Sequence, residues 1–261
     1  YASNQQIQKY YIDQFGRCCY DFQEEDRPNR FDPLDMMNAS VALVYDNSYS
    51  GFVSPVRGGR YRYDLTATTG TLNFLTATAD WRRYFGLHRN LTFAVRGLHY
   101  GRYGNLKGTN DQQALQPTFL GYEWFIRGYD YGSFTPDECV ASAAGVTGGV
   151  CPVRNRLFGH KVAVMSGELR VPLLGVEQYG LITFPFVPTE LVMFADGGLA
   201  WDSHLLNANG NLEMPDAPVL AFSRSSSERI PVFTAGVGAR FNVLGFLVLE
   251  AYYAYPFQRP D

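Results

Sequence analysis

The stretch VFTAGVGARFNVLGFLVLEAYYAYPF, residues 232–257, alternates between two kinds of side chain. In residues 233–242 every odd position is apolar, whereas the even positions carry threonine, glycine, arginine and asparagine. After the short turn FNVLGF, the odd positions of 247–255 are leucine, alanine or tyrosine, and a glutamate, Glu250, lies among the even ones. A period of two is typical of a strand whose two faces differ. The stretch therefore predicts two consecutive β-strands.

The same period occurs in other parts of the chain, and helical periodicity is hard to find. Further strands are predicted at ASVALVYD (39–46), GRYRYDLTAT (59–68), LNFLTATADWRRYF (72–85), LTFAVRG (91–97), AVMSGELRVPLL (163–174) and LVMFADGGLAW (191–201). The first of these fits the pattern less cleanly than the others. Together they give about eight strands of roughly 8–14 residues each. The sequence is therefore predicted to be all-β.

The length and the faces of these strands favour a membrane barrel over a soluble sandwich. Soluble strands average roughly 5–6 residues. The strands here are longer, and one face of each is apolar while the other carries Arg, Asp or Glu. Aromatic residues lie near the strand ends, at Tyr61, Trp81, Trp201, Tyr253 and Tyr255. A transmembrane antiparallel β-barrel has this pattern, because each strand faces lipid on one side and the lumen on the other.

The connections between the predicted strands differ in length. Those near 86–90 and 241–246 are short, whereas the segments 102–160 and 202–230 are long, polar and rich in Gly, Ser and Asn. Outer-membrane barrels have short turns on the periplasmic side and long loops on the extracellular side. The sequence therefore predicts long extracellular loops.

The totals exclude several classes of protein. The formal net charge is −3 over 261 residues, so there is no basic excess that would favour nucleic acid as a partner. No run of about 18 apolar residues is present, so no transmembrane helix is expected. The histidines are scattered without the spacing of metal ligands, at His88, His99, His160 and His204. We expect no metal and no cofactor.

Four cysteines leave two interpretations open. Cys139 and Cys151 enclose a segment rich in Gly, Ala and Val, and a disulfide between them would close a short loop. Such a bond would stabilise the fold by roughly 3 kcal/mol in the entropic account and would imply an oxidising compartment. A metal site is the competing interpretation, although no Cys-x-x-Cys accompanies the pair. The adjacent Cys18 and Cys19 cannot easily bond to each other, so they give less information about a disulfide or a metal site.

The stretch FLGYEWFIRGYDYGSF, residues 119–134, contains a single arginine among aromatics and glycines. Its tetrapeptide IRGY (Ile126, Arg127, Gly128, Tyr129) resembles the (V/I)RG(F/Y) motif of the BamA/TamA/FhaC superfamily of outer-membrane assembly and secretion proteins, also called bacterial surface antigens. Four further blocks resemble that family in the same order: YDNSYSGFVSPVRGGRYRYDL (45–65), SGELRVPL (166–173), MFADGGLAW (193–201) and AGVGARFNVLGFLVLEAYYAYPF (235–257).

This resemblance implies that the motif loop folds into the barrel lumen, where Arg127 would pair with Asp196 and Glu168. The residues also support the pairing directly, because Glu168 lies on the polar face of its strand and Asp196 is the only charge in its own. A buried charge needs a hydrogen-bonded partner, and guanidinium can bind carboxylate through two bonds. Gly128 would allow a sharp turn and Tyr129 would pack on the wall. The alternative is that Arg127 is a solvated loop residue and Asp196 begins a turn.

The resemblance covers about residues 39–257. We therefore expect residues 1–38 to be a polar loop or the end of a preceding strand, and residues 39–261 to be the C-terminal half of an outer-membrane barrel. The resemblance implies a barrel of about 16 strands, and we expect its final strand to be missing from this sequence. The alternative is that the eight strands close on themselves, since barrels of about that size exist.

The implied function is insertion, assembly or translocation of polypeptides at the outer membrane of a Gram-negative-type bacterium. The expected partners are outer-membrane lipid, substrate polypeptides, and accessory outer-membrane or periplasmic proteins. One alternative is a structural or scaffolding barrel within a larger complex, without insertase activity. Another alternative is an enzyme. However, the serine-hydrolase pattern Gly-x-Ser-x-Gly does not occur, and the serine in MSGE (165–168) is already explained by the strand pattern. The protein is therefore expected to be non-enzymatic.

Overall fold

The computed structural model describes residues 5–9, 23–27, 35–105, 115–135, 138, 152–177, 180–184, 186–201 and 231–259. The long strands are β3 (Met36–Asp46), β5 (Pro55–Gly70), β6 (Asn73–His88), β7 (Leu91–Asn105), β10 (Lys161–Gly175), β12 (Thr189–Trp201), β13 (Val232–Val243) and β14 (Leu247–Pro256). The short elements are β1 (Gln5–Lys9), β2 (Gln23–Arg27), β4 (Tyr49–Ser50), β8 (Thr118–Phe119), α1 (Pro152–Arg156), β9 (Phe158–Gly159) and β11 (Ile182–Thr183).

The eight long strands form one antiparallel sheet in the order β14-β13-β12-β10-β7-β6-β5-β3. Each long strand pairs with the next one along the chain, so the sheet is a meander. This confirms the predicted all-β antiparallel fold and its eight long strands. Within the described residues β3 and β14 are the two edges and do not pair with each other. The sheet therefore does not close as an eight-stranded barrel there, and a total of about 16 strands stays a prediction.

The two faces of the sheet have the opposite polarity to those of a water-soluble protein. Apolar side chains on the outer face are open to the surroundings, with Met165 67% exposed and Tyr253 70% exposed. On the inner face, Glu168, Asp196 and Thr234 are buried. An apolar outer band with a polar interior is the arrangement of a barrel wall in lipid. None of the described helices is long and apolar enough to cross a membrane.

The connections sort by length only in part. Residues 89–90 and 244–246 connect strands at one end of the sheet, whereas the 106–160 and 202–231 segments connect them at the other. The first end is called here the short-turn end, and the second the long-loop end. The two longest connections share one end, as in a barrel with long extracellular loops, but residues 71–72 form a two-residue turn between β5 and β6 at the same end.

The wall is strongly curved. The turn of residues 51–54 follows β4 and precedes β5, yet the Ser54 hydroxyl donates to the Glu190 carboxylate of β12 at 2.9 and 2.7 Å. The Asn242 amide of β13 donates to the Phe52 carbonyl at 2.5 Å. β5 and β12 are separated by three other strands in the sheet order. Contacts of this kind require the sheet to curl around an interior, which is the lumen.

The chain before β3 contains one further pair of strands, because β1 and β2 are antiparallel to each other. They lie in the segment predicted as a polar loop or the end of a strand. The domain boundary at residue 38 stays a prediction, since β3 begins at Met36 and is continuous across it. All four cysteines lie outside the described residues, and with them the predicted Cys139–Cys151 disulfide.

Candidate functional site: the lumenal arginine and its partners

The loop between β7 and β10 packs on the inner face of the sheet. Ile126 and Tyr129 of the loop are completely buried. Apolar side chains of the loop and of the wall form one buried cluster: Leu98, Phe119, Leu120, Phe125, Ile126, Tyr129, Leu157, Val162, Val164, Ala200 and Val232. Burial of apolar area stabilises the contact by about 25 cal/mol per Å². The described part of this loop therefore lies folded into the lumen near the long-loop end.

Gly128 allows the loop to approach the wall closely. Its φ is +85°, a backbone conformation that residues with a Cβ rarely adopt. A Cβ at this position would lie 3.1 Å from the Ala254 Cβ and 3.2 Å from the Thr234 Oγ1. Both the backbone conformation and the short distance to the wall favour glycine directly after Arg127.

Arg127 binds two carboxylates on two neighbouring strands. Its Nε donates to the Asp196 Oδ2 at 2.7 Å and its Nη2 donates to the Asp196 Oδ1 at 2.8 Å, which is a bidentate pair. Its Nη1 donates to the Glu168 Oε1 at 2.8 Å. The guanidinium also lies 3.6 Å from the centre of the Phe194 ring. Arg127 is only 8% exposed and Asp196 3%, so solvent screens this pair little.

Glu168 is shared by three arginines. Besides Arg127, Arg170 donates through Nε to the Glu168 Oε2 at 2.9 Å. Arg240 of β13 donates to the Glu168 Oε2 and Oε1 at 3.0 and 3.1 Å. Removing one cation from such a group would leave a buried carboxylate with fewer donors, and that outcome is costly. Glu168 is therefore the centre of a network that joins the loop to β10 and β13.

The network extends from Glu168 to the short-turn end. Arg240 lies 3.1 Å from the Glu250 Oε1 and 3.5 Å from the Glu190 Oε1. Arg170 donates to the Ser54 Oγ at 3.1 Å, and Ser54 in turn donates to Glu190. Hydrogen bonds therefore continue from the motif loop to the turn of residues 51–54. Such connected networks hold their members in one arrangement when every group has a partner.

A second set of contacts fixes the far side of the loop to the segment after β14. The Tyr129 hydroxyl donates to the Phe233 carbonyl at 2.9 Å and to the Gln258 Oε1 at 2.6 Å. Arg259 donates to the Glu138 Oε2 at 2.8 Å and to the Ser133 carbonyl at 2.6 Å. The hydrogen bond from Arg259 holds the pKa of the Glu138 carboxyl below its usual value.

The structure brings Ile126, Arg127, Gly128 and Tyr129 together with Asp196 and Glu168. The sequence reasoning missed the Ser54, Arg170, Arg240 and Gln258 contacts with this group. Arg170 follows Glu168 by two positions and so shares its face, which is a signal that could have been used. Ser54 and Gln258 gave no such signal, because their contacts cross the lumen or join distant segments.

The described residues of this site are arranged so that they anchor the loop. Its charged groups are tied to one another by hydrogen bonds, and the part of the chain that is described holds no group of three His, Cys, Asp or Glu placed to bind a metal ion. This arrangement can hold the loop at a fixed depth in the lumen. Opening the loop would require several charge-assisted hydrogen bonds to break together.

Comparisons with known proteins identify a family and a similar fold. Residues 3–261 match the family model described as the Omp85 superfamily domain. Among solved structures, the chain is similar to BamA from Haemophilus ducreyi lacking POTRA domains 1–3, with a TM-score of 0.53 and 16% sequence identity. The match covers 95% of this chain and 42% of that one, so the chain spans less than half the length of that relative. Among curated proteins, none matches the sequence. The chain belongs to the Omp85 superfamily.

Proposed function

We propose that the chain is part of an outer-membrane barrel that inserts, assembles or translocates polypeptides without enzymatic chemistry, in a Gram-negative-type bacterium. The observation that carries this proposal is the buried Arg127, held by Asp196 and Glu168 on the lumenal wall. The tetrapeptide at 126–129 resembles the superfamily's motif, and family membership makes the resemblance specific. The expected partners are outer-membrane lipid, substrate polypeptides, and accessory outer-membrane or periplasmic proteins.

The role proposed for the site is to fix the loop so that the lumen keeps a defined shape while a substrate strand pairs with a sheet edge. Edge strands present unpaired N–H and C=O groups, which bind an incoming strand by backbone hydrogen bonds. The site would act at a distance from the sheet edges β3 and β14, because the loop residue Arg127 packs against β10 and β12. It is therefore a positioning site rather than a place where substrate is bound.

Reconstitution of the full-length protein into liposomes tests this function. A urea-unfolded small outer-membrane barrel protein is added, and its folding is followed by the gel mobility of the unheated sample. Liposomes with the protein should fold the substrate faster than empty liposomes, and Arg127→Ala should lose most of that acceleration. Arg83→Gln is the matched control, since Arg83 is exposed on the outer face and also loses one positive charge.

Translocation is tested in the same liposomes with a secreted substrate and external protease, where substrate inside the vesicle is protected. Equal folding rates with and without the protein, together with no protected substrate, would reject both activities. That result would instead support a scaffolding barrel in a larger complex.

A further inference from the structure

The inner face of β5, β6 and β7 carries a row of arginines beside the network that holds the motif loop. Arg60, Arg82 and Arg96 are opposite one another across the strands, because Arg60 pairs with Arg82 and Arg82 pairs with Arg96 in the register. These three residues are called here the cationic row. Like charges directly opposite on neighbouring strands destabilise a sheet. The row therefore needs compensation from negative charge.

The carboxylates beside the row compensate it only in part. Asp80 accepts from the Arg82 Nη2 at 2.7 Å and, more weakly, from the Arg96 Nη2 at 3.2 Å, so one carboxylate serves two guanidiniums. Arg60 interacts through space with Asp46, which lies at the exposed end of β3. The neighbouring Asp64 is bound bidentately by Arg62. The wall at this place keeps an excess of positive charge.

Two adjacent cavities in the lumen meet at this row. One, of about 280 Å³, is lined by three arginines and two carboxylates: Arg60, Arg62, Arg82, Asp46 and Asp80. The other, of about 520 Å³, is lined by Arg82, Arg96 and Trp124, and also by the arginines of the loop network and four carboxylates: Glu123, Glu168, Asp196 and Glu250. In each cavity the arginines exceed the carboxylates by one. The side chains of Arg82 and Arg96 remain 29% and 23% exposed, and a guanidinium has five N–H donors, more than these contacts use.

We propose that the cationic row is a binding strip for small anions in the lumen. Guanidinium groups bind inorganic anions and carboxylates through charge-assisted hydrogen bonds. A cleft whose low-dielectric walls carry an excess of one sign of charge raises the local concentration of the opposite ion. The inference goes beyond the proposed function and does not depend on it, since a scaffolding barrel would have the same wall.

Trp124 is a suitable reporter for the strip. Its side chain is 66% exposed, and its carbonyl accepts from the Arg96 Nη1 at 2.6 Å. Trp81 lies on the outer face of the same wall. Iodide, which carries a negative charge, and acrylamide, which is neutral, both quench tryptophan fluorescence. The contribution of Trp124 is obtained by subtracting the signal of Trp124→Phe.

The experiment compares quenching constants of the full-length protein in liposomes and of two adjacent variants. Arg82→Gln should lower the iodide quenching constant of Trp124 by about threefold, the effect of one charge roughly 6 Å away in water, and leave acrylamide quenching unchanged. Arg83→Gln loses the same charge on the outer face and should leave both constants unchanged. Acrylamide reports any change in the accessibility of Trp124 itself.

Arg60→Gln is the second variant, because loss of Arg82 also removes a partner of Asp80. It should lower iodide quenching by less than Arg82→Gln does, since Arg60 lies one strand further from Trp124. The inference is wrong if the ratio of iodide to acrylamide quenching is the same in the wild type and in both lumenal variants. It is also wrong if Arg83→Gln lowers that ratio as much as Arg82→Gln does.

Discussion

Two parts of the same lumenal wall differ in how completely their arginines are paired with carboxylates. On β10 to β14 each arginine meets one or more buried carboxylates, and Glu168 accepts from three guanidiniums. On β5 to β7 the arginines of the cationic row share Asp80 and remain partly exposed. The first part holds the motif loop, whereas the second faces open cavities. Removing a charge from the lumen should therefore destabilise the fold more where the loop excludes water from it than where the wall faces a cavity.

The largest expected effect is that of Arg127→Ala. The substitution leaves Asp196 and Glu168 buried with one cation fewer, and breaking a buried pair typically costs about 3–5 kcal/mol. The free energy of unfolding in urea, measured on protein in liposomes, should fall by that amount. Arg127→Lys should lie between Ala and the wild type, because lysine keeps the charge but not the bidentate geometry. A loss below about 1 kcal/mol would place this pair in the same class as exposed ones.

Tyr129→Phe should have a smaller effect in the same half of the wall. The variant keeps the buried ring and loses the hydrogen bonds to Phe233 and Gln258, which is a change of about 1 kcal/mol. Hydrogen exchange of the amides in the loop should become faster, while exchange in β6 stays as in the wild type. Faster exchange in β6 as well would show that the loop stabilises the whole wall.

Arg96→Ala should change stability less than Arg127→Ala does. The variant loses the hydrogen bond to the Trp124 carbonyl, but Asp80 keeps its two shorter hydrogen bonds from Arg82, and partly exposed ion pairs contribute about 0–1 kcal/mol. The urea midpoint should therefore move little, in contrast to Arg127→Ala. Equal losses for the two variants would remove the distinction between the two parts of the wall.

A dependence of local stability on pH is expected in the segment around Glu138. Its pKa is lowered in the folded state, so its ion pair with Arg259 stabilises the fold above the unfolded pKa of about 4.3 and is lost as pH falls through the folded pKa. Protection of the amides of residues 133–135 and 138 against hydrogen exchange, corrected for intrinsic rates, should be constant from about pH 5 to 8 and decrease below about pH 4. Glu138→Gln should have low protection throughout. If protection in Glu138→Gln decreased by the same amount below about pH 4, the pH dependence would come from other carboxyl groups.

Much of the fold was readable from the sequence because a strand between lipid and a polar lumen must alternate. The alternation located all eight long strands. β7 is longer than predicted, ending at Asn105 rather than at Gly97. Glycines at 97, 101 and 104 weaken the pattern there, although the strand continues to pair with β6. A position without a side chain gives no information about which face it occupies.

The site was readable only where it depends on neighbouring positions in a strand or on the motif. Glu168 and Asp196 were found in this way. The contact of Ser54 with Glu190 depends on how far the sheet curls, and the contact of Gln258 with Tyr129 depends on the path of a long loop. Local patterns do not encode either quantity, because both result from the packing of residues that are distant in the sequence.

The turn of residues 51–54 has a mechanical consequence. Its hydrogen bonds to Glu190 and Asn242 form a chord across the arc of wall from β5 to β13, and a chord of fixed length sets the radius of that arc. Any widening or narrowing of the whole circumference must then either break these bonds or be accommodated outside this arc. The segment from β5 to β13 is therefore the stiff sector of the wall, and compliance is expected beyond its two ends.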